Sequence, residues 1–231
     1  MESSEYRVSV NIADALRYMG AADTLDVATA EELRRLSDLV LESARPRVVM
    51  KVLPIERKGE SVSLSGSALA LPGRAVSALL HSCFSCVLFC ATIGDEIETL
   101  LRKWQIKDMA SAVMLDACAS SAVESLCESA ETDLLREYLA AGLYLTDRFS
   151  PGYGDLPIGI QRDFCAELDT ARKIGVHVSS GGIMIPRKSV TALIGISKAP
   201  QKSRKVGCAD CTLLNSCKFR ESKVTCYGEA L

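Results

Sequence analysis

The chain predicts an α+β fold, a mixed or antiparallel sheet with helices packed on it. Three observations carry this. Short β-branched stretches cluster at residues 48–64 and 85–93, helical periodicity then dominates from about residue 95 to 141, and strand-like runs return only at 176–196. Strands that return after long helices favour a sheet without alternating crossovers.

Taken in order, residues 11–19 read as a short helix with Ile12, Leu16 and Met19 on one side, stopped by Gly20. Thr29 followed by Glu32 has the pattern of a capping box, and Leu33, Leu36, Leu39 and Val40 then repeat at helical spacing until Arg45 and Pro46. Residues 48–55 and 62–64 form a hairpin about Lys58 and Gly59. Pro72 and Gly73 open a helix through Leu80, and 85–93 is a nearly continuous apolar run, the mark of a central strand buried on both faces. Gly94 and Asp95 start a helix reaching Trp104. Asp108 caps a long one running to about Ala141, whose face at Ala110, Val113, Met114, Ala117 and Ser121 is small enough for another backbone to pack close. Helical spacing resumes at 160–174 with Phe164, Leu168 and Ala171, ending at Gly175. Strands follow at 176–180, 183–185 and 190–196, separated by Gly181-Gly182 and Pro186-Arg187, the glycine pair reading as an ordinary turn rather than an anion cradle.

A chain of 231 residues, 48% hydrophobic, can bury a sizeable core. Its formal charge of -2, with signs interspersed, offers no basic field for nucleic acid. The N-terminus lacks the pattern of a signal peptide, and no apolar run approaches the ~20 residues a membrane span needs, so the expectation is a soluble, cytoplasmic protein without membrane or nucleic-acid partners. Ten cysteines without a secretory signal point to free thiols in a reducing compartment. Composition changes at Lys198, dividing a domain at 1–198 from a basic linker and cysteine-bearing tail at 199–231.

Chemistry concentrates in three places. Residues 148–157 read Arg-Phe-Ser-Pro-Gly-Tyr-Gly-Asp-Leu-Pro, and two glycines with two prolines force an exposed turn. It carries a guanidinium able to grip a carboxylate through two hydrogen bonds, and a tyrosine with a flat face and a hydroxyl. This suits a small zwitterion with an aromatic part, while the bland alternative is a structural turn pinned by Arg148 and Tyr153. Glu124 continues the packed face of the long helix, where a carboxylate needs a partner, either a structural arginine or a ligand donor. Cys208, Cys211 and Cys217 form Cys-x2-Cys-x5-Cys, and Cys226 follows Cys217 after eight intervening residues. Four sulfurs suffice for zinc or an iron-sulfur cluster, against the alternative of free thiols on a tail. Cys83, Cys86 and Cys90, like Cys118, Cys127 and Cys165, read as core packing. No Gly-x-Gly-x-x-Gly follows a strand, no phosphate-binding Gly-x-x-x-x-Gly-Lys loop is present, and neither His81 nor His177 sits in a recognisable nucleophile motif.

Arg-x-x-Pro-Gly-Tyr-x-x-x-Pro at 148–157 resembles the S-adenosylmethionine-binding signature of the activation (reactivation) domain of cobalamin-dependent methionine synthase. Arg-Tyr-Met-Gly at 17–20, Leu-Phe-Cys-Ala-Thr-Ile-Gly at 88–94, Asp-Ala-Cys-Ala-Ser-Ser-Ala-Val-Glu at 116–124 and residues 182–197 are similar to free-standing members of that family. The resemblance implies a single C-shaped domain, a twisted antiparallel sheet flanked by helices. It implies that Arg148 grips the carboxylate of S-adenosylmethionine, that Glu124 meets its ammonium, that backbone at Pro151 and Gly152 approaches the ligand, and that Tyr153 lines the space between ligand and corrinoid. The family's further acidic ligand has no counterpart that aligns here, since Asp14 and Asp26 stand in unmatched surroundings. With no corrinoid-binding module of its own, the chain would support reductive methylation of an inactive Co(II) corrinoid carried by a partner: a methionine synthase lacking its activation domain, or another corrinoid protein. A flavodoxin or ferredoxin-like electron donor is also implied. The competing expectation is a non-enzymatic module that binds or senses a corrinoid protein and has a metal-binding tail.

Overall fold

The structure, a computed structural model, describes residues 6–20, 26–58 and 61–201. Two compact units emerge. Among the described residues, the first comprises those up to Lys51 with Phe89–Glu137 and Gln161–Thr191, and the second comprises Val52–Leu88, Tyr138–Ile160 and those from Ala192 to Gln201. The protein is a mixed helix and sheet fold whose twisted antiparallel sheet is flanked by helices. Its strands are β1 (Arg47–Lys58), β2 (Ser61–Leu64), β3 (Cys83–Thr92), β4 (Tyr144–Leu145) and β7 (Ser189–Ser197), in the order β2-β1-β3-β7-β4. β1, β3 and β7 contribute residues to both units. The apolar run at 85–93 therefore becomes the middle strand, and nine of the ten residues of β3 are buried.

In the first unit, α1 (Ile12–Met19) is capped by Asn11, whose side chain accepts from the N–H groups of Ala13 and Asp14, and it ends at Gly20 with φ 65°. Three serines of α5 (Met109–Ala140), spaced four apart, take up the chain preceding α1. Ser129, Ser125 and Ser121 accept the backbone N–H groups of Arg7, Ser9 and Asn11 at 3.2, 2.8 and 2.8 Å. Four helical residues rise about 6 Å and two extended residues about 6.6 Å, so every second amide meets a serine at every fourth helical position. The expected close approach of a second backbone to this helix is thus real at Ser121. It does not extend to Ala110 and Val113, which are exposed; the buried side of α5 runs instead through Leu115, Cys118, Ala122 and Leu126. α5 is long and apolar enough to cross a membrane, where the sequence led us to expect no such run, yet 61% of its most apolar window is buried within the protein, as in a core helix.

α2 (Val27–Ser43) starts earlier than expected. Asp26, not Thr29, is its cap, accepting both the N–H and the hydroxyl of Thr29 at 2.8 Å. Glu32 turns away from the cap to Arg35 and Ser111. α4 (Glu96–Lys107) precedes Asp108, which caps α5 as predicted through Ala110 and Ser111. The single helix expected at 160–174 is broken into α6 (Gln161–Leu168) and α7 (Thr170–Ile174) by Asp169 at φ 56°. Aspartate tolerates that left-handed geometry better than most residues. The break re-aims the last turn, so Thr170 and Ile174 are buried and Ala171 is exposed. β5 (His177–Val178) and β6 (Met184–Ile185) make a two-stranded hairpin, and its Gly181-Gly182 segment is an ordinary turn closed by Gly182 N–H to the Ser179 carbonyl at 3.0 Å.

In the second unit, β1 and β2 form the expected hairpin from Ile55↔Leu64 to Lys58↔Ser61. α3 (Arg74–Leu79) follows Gly73. The Arg57 guanidinium binds the carbonyls of Leu80 and Cys83 where α3 gives way to β3, the Leu80 carbonyl also accepting Cys83 N–H at 2.9 Å. β4, too short to show as a periodic run, pairs with β7 through Tyr144↔Ser197 and Leu145↔Ile196.

Candidate functional site

Residues 148–157 lie in the second unit and are fixed at both ends. Upstream, the chain zips along β7. Thr146 N–H donates to the Gly195 carbonyl at 3.0 Å, Gly195 N–H donates to the Thr146 hydroxyl at 2.8 Å, and Phe149 and Leu193 exchange two 2.9 Å backbone bonds. Downstream, the Asp155 carboxylate accepts the N–H groups of Arg74 at 2.6 Å and Ala75 at 3.0 Å. These bonds, Ala75 first and then Arg74, hold its carboxyl below the usual carboxylate range. Asp155 is thereby the cap of α3. Sequence reasoning passed over it, although its place in the signature was plain.

Between these anchors the loop folds on itself, with Tyr153 N–H on the Ser150 carbonyl at 3.0 Å and Gly152 N–H on the Leu156 carbonyl at 2.8 Å. Gly154, at φ 52°, is pressed against its surroundings: a Cβ there would stand 3.1 Å from Ala75 Cβ and 3.4 Å from the Phe149 ring. Phe149, Pro151 and Leu156 are buried, Arg148 is half-buried, and Gly152 is exposed. Tyr153 is 53% exposed, and its ring meets Phe149 edge to face with centroids 6.3 Å apart. The result is a rigid turn that presents a braced aromatic ring and an open glycine.

Glu124 belongs to the first unit. With Val113, Ala117 and Ser120 it lies on one face of α5, and this face forms a wall of a groove of about 640 Å³. Tyr18 and Met19, from the end of α1, line the same groove, so the Arg-Tyr-Met-Gly stretch and Glu124 are brought together. Burial, and then the charge of Glu124, raise the Tyr18 phenol above its ordinary value. Asp14 pairs with Arg17 at 2.7 Å, and the Arg17 guanidinium lies 5.5 Å from the Tyr18 ring centre. Asp26 is occupied as the cap of α2.

Two groove residues were missed by sequence reasoning. Lys188, with a side chain only 12% exposed, pairs with Asp116 at 2.9 Å and donates to the Ser120 hydroxyl at 2.8 Å. Asp116 sits within the quoted 116–124 stretch, but nothing local announces Lys188. Arg187 is engaged by Glu98 through its backbone N–H at 2.8 Å and its side chain at 3.3 Å.

Among the described residues, no group of three histidine, cysteine or acidic side chains is arranged to hold a metal. Cys83, Cys86, Cys90, Cys118, Cys127 and Cys165 are buried free thiols, as core packing requires. Cys208, Cys211, Cys217 and Cys226 lie outside the described residues.

The architecture places the chain in the α+β class, an antiparallel sheet flanked by helices. Its fold is related to that of the MetH reactivation domain. A crystal structure of that domain bound to AdoHcy matches with a TM-score of 0.60 and 16% identity, over 84% of this chain and 75% of that one. At this identity the likeness is one of fold. No family model matches the chain. No curated protein matches it either.

Proposed function

We propose that the chain is a free-standing reactivation protein that binds S-adenosylmethionine and supports reductive methylation of an inactive Co(II) corrinoid held by a separate methionine synthase or other corrinoid protein. The observation that carries this reading is the Arg148 to Pro157 signature, an anchored and partly exposed loop within a fold related to the MetH reactivation domain. When bound, S-adenosylmethionine supplies an electrophilic methyl group, and a flavodoxin or ferredoxin-like partner supplies the electron.

Each residue has a positional task. Arg148 holds the ligand carboxylate by charge-assisted hydrogen bonds and Glu124 its ammonium. The backbone at Pro151 and Gly152 admits close approach, and Tyr153 offers a flat face toward the corrinoid partner. The groove beside Glu124, about 640 Å³, falls within the size range of small-molecule sites. A carboxylate next to a phenol suits a cationic amino group.

Calorimetric titration of the intact chain with S-adenosylmethionine tests the reading. Saturable binding is expected, and Arg148→Ala should weaken it by about 1.5–3 kcal/mol, the loss of hydrogen bonds to a charged group. Absence of binding at millimolar ligand would overturn it in favour of a binding module without a small-molecule ligand.

A further inference from the structure

The groove has two chemically different regions on one helix. Glu124 and Asp116 are eight residues apart on α5, about 12 Å along its axis. Between them the wall holds Ala117, Ser120 and Val123, and past Asp116, on the side away from Glu124, it continues with Val113 and Met109. At the Asp116 end a nearly buried ammonium stands beside a carboxylate. Lys188 donates to Ser120 Oγ at 2.8 Å and its ammonium stands 2.9 Å from Asp116 Oδ1 as an ion pair.

We infer that this end of the groove reads a purine, with Lys188 donating to N7 and Asp116 accepting from the 6-amino group. An adenine presents an acceptor and a donor side by side on that edge, the complement of an ammonium beside a carboxylate. Its flat faces fit the apolar wall at Val113 and Ala117, and the amino-acid part of the ligand then extends toward Glu124. This assignment rests on the S-adenosylmethionine reading and adds the groups that select the base. A 6-oxo purine reverses the second contact, setting a carbonyl oxygen against the Asp116 carboxylate.

The test compares S-adenosylhomocysteine with its 6-oxo analogue, S-inosylhomocysteine, by titration of the intact chain. The adenine compound should bind at least about tenfold more tightly, the consequence of leaving a polar group unpaired in the site. Asp116→Asn, whose amide can present either a donor or an acceptor, should bring the two affinities close to equal. Val113→Trp, at a position 52% exposed, should fill the groove and weaken S-adenosylhomocysteine at least about tenfold with an unchanged melting temperature. Equal affinity of the wild-type chain for both purines, full preference retained in Asp116→Asn, or normal binding by Val113→Trp would each overturn the inference. If Arg148→Ala still weakens binding in those cases, the broader reading stands. Failure of the wild-type chain to bind either compound would overturn both.

Discussion

The carboxylate of Asp155 receives the backbone N–H of Ala75 at 3.0 Å, so the loop that carries Arg148 and Tyr153 is also the N-terminal cap of α3. Asp155→Ala should lower the melting temperature and increase amide exchange at residues 74 and 75, while Asp155→Asn, still a cap, should lose less. The sign of the pH dependence follows from the depressed carboxyl. Its contribution is present above the unfolded carboxylate value and disappears as pH falls through the lower folded value. Melting curves of wild type and Asp155→Ala should therefore differ at about pH 7 and converge at strongly acidic pH.

Gly154→Ala tests the rigidity of the same loop. The added methyl meets Ala75 and the Phe149 ring at a positive φ, and the left-handed conformation alone costs an L-residue about 1–2 kcal/mol. Chemical denaturation should show a loss of at least that size. Weakened binding of S-adenosylmethionine should accompany it, because Gly154 adjoins Tyr153.

The serine ladder makes a separable prediction. Replacing Ser121, the buried rung, by alanine removes the acceptor for Asn11 N–H and should cost about 0.5–1.5 kcal/mol. The triple alanine variant at 121, 125 and 129 should release residues 7–11, seen as rapid hydrogen exchange at those amides while the core of α5 stays protected.

Burial pushes the Cys86 thiol up to about 12 and the Cys118 thiol up to about 11. The thiolate is the reactive species, so neither residue should be alkylated in the native protein at about pH 8. Both should react once the chain is unfolded in denaturant, with mass mapping as the readout.

What the sequence made legible was whatever rests on periodicity or on backbone chemistry. The hairpin, the buried central strand, the Asn11 to Gly20 helix and the Asp108 cap all follow from local pattern. Thr29 misled because its hydroxyl and N–H both go to Asp26, a better cap three residues earlier. The break at Asp169 was hidden because the helical spacing of Phe164 and Leu168 runs up to it without a glycine or proline. Among the candidate residues, those of the loop and Glu124 could be named from type and resemblance. Lys188 could not, because its proximity to Asp116 joins positions 72 residues apart in the chain.

Asn11 does two things at once, capping α1 and donating its own N–H to Ser121. Tyr18 is thereby tied to the helix that carries Glu124, and both line the same groove. Deleting a single residue between Arg7 and Asn11 would put the amides out of phase with the serines, so the misfit would be felt in the first unit's groove even though every residue lining it was left untouched.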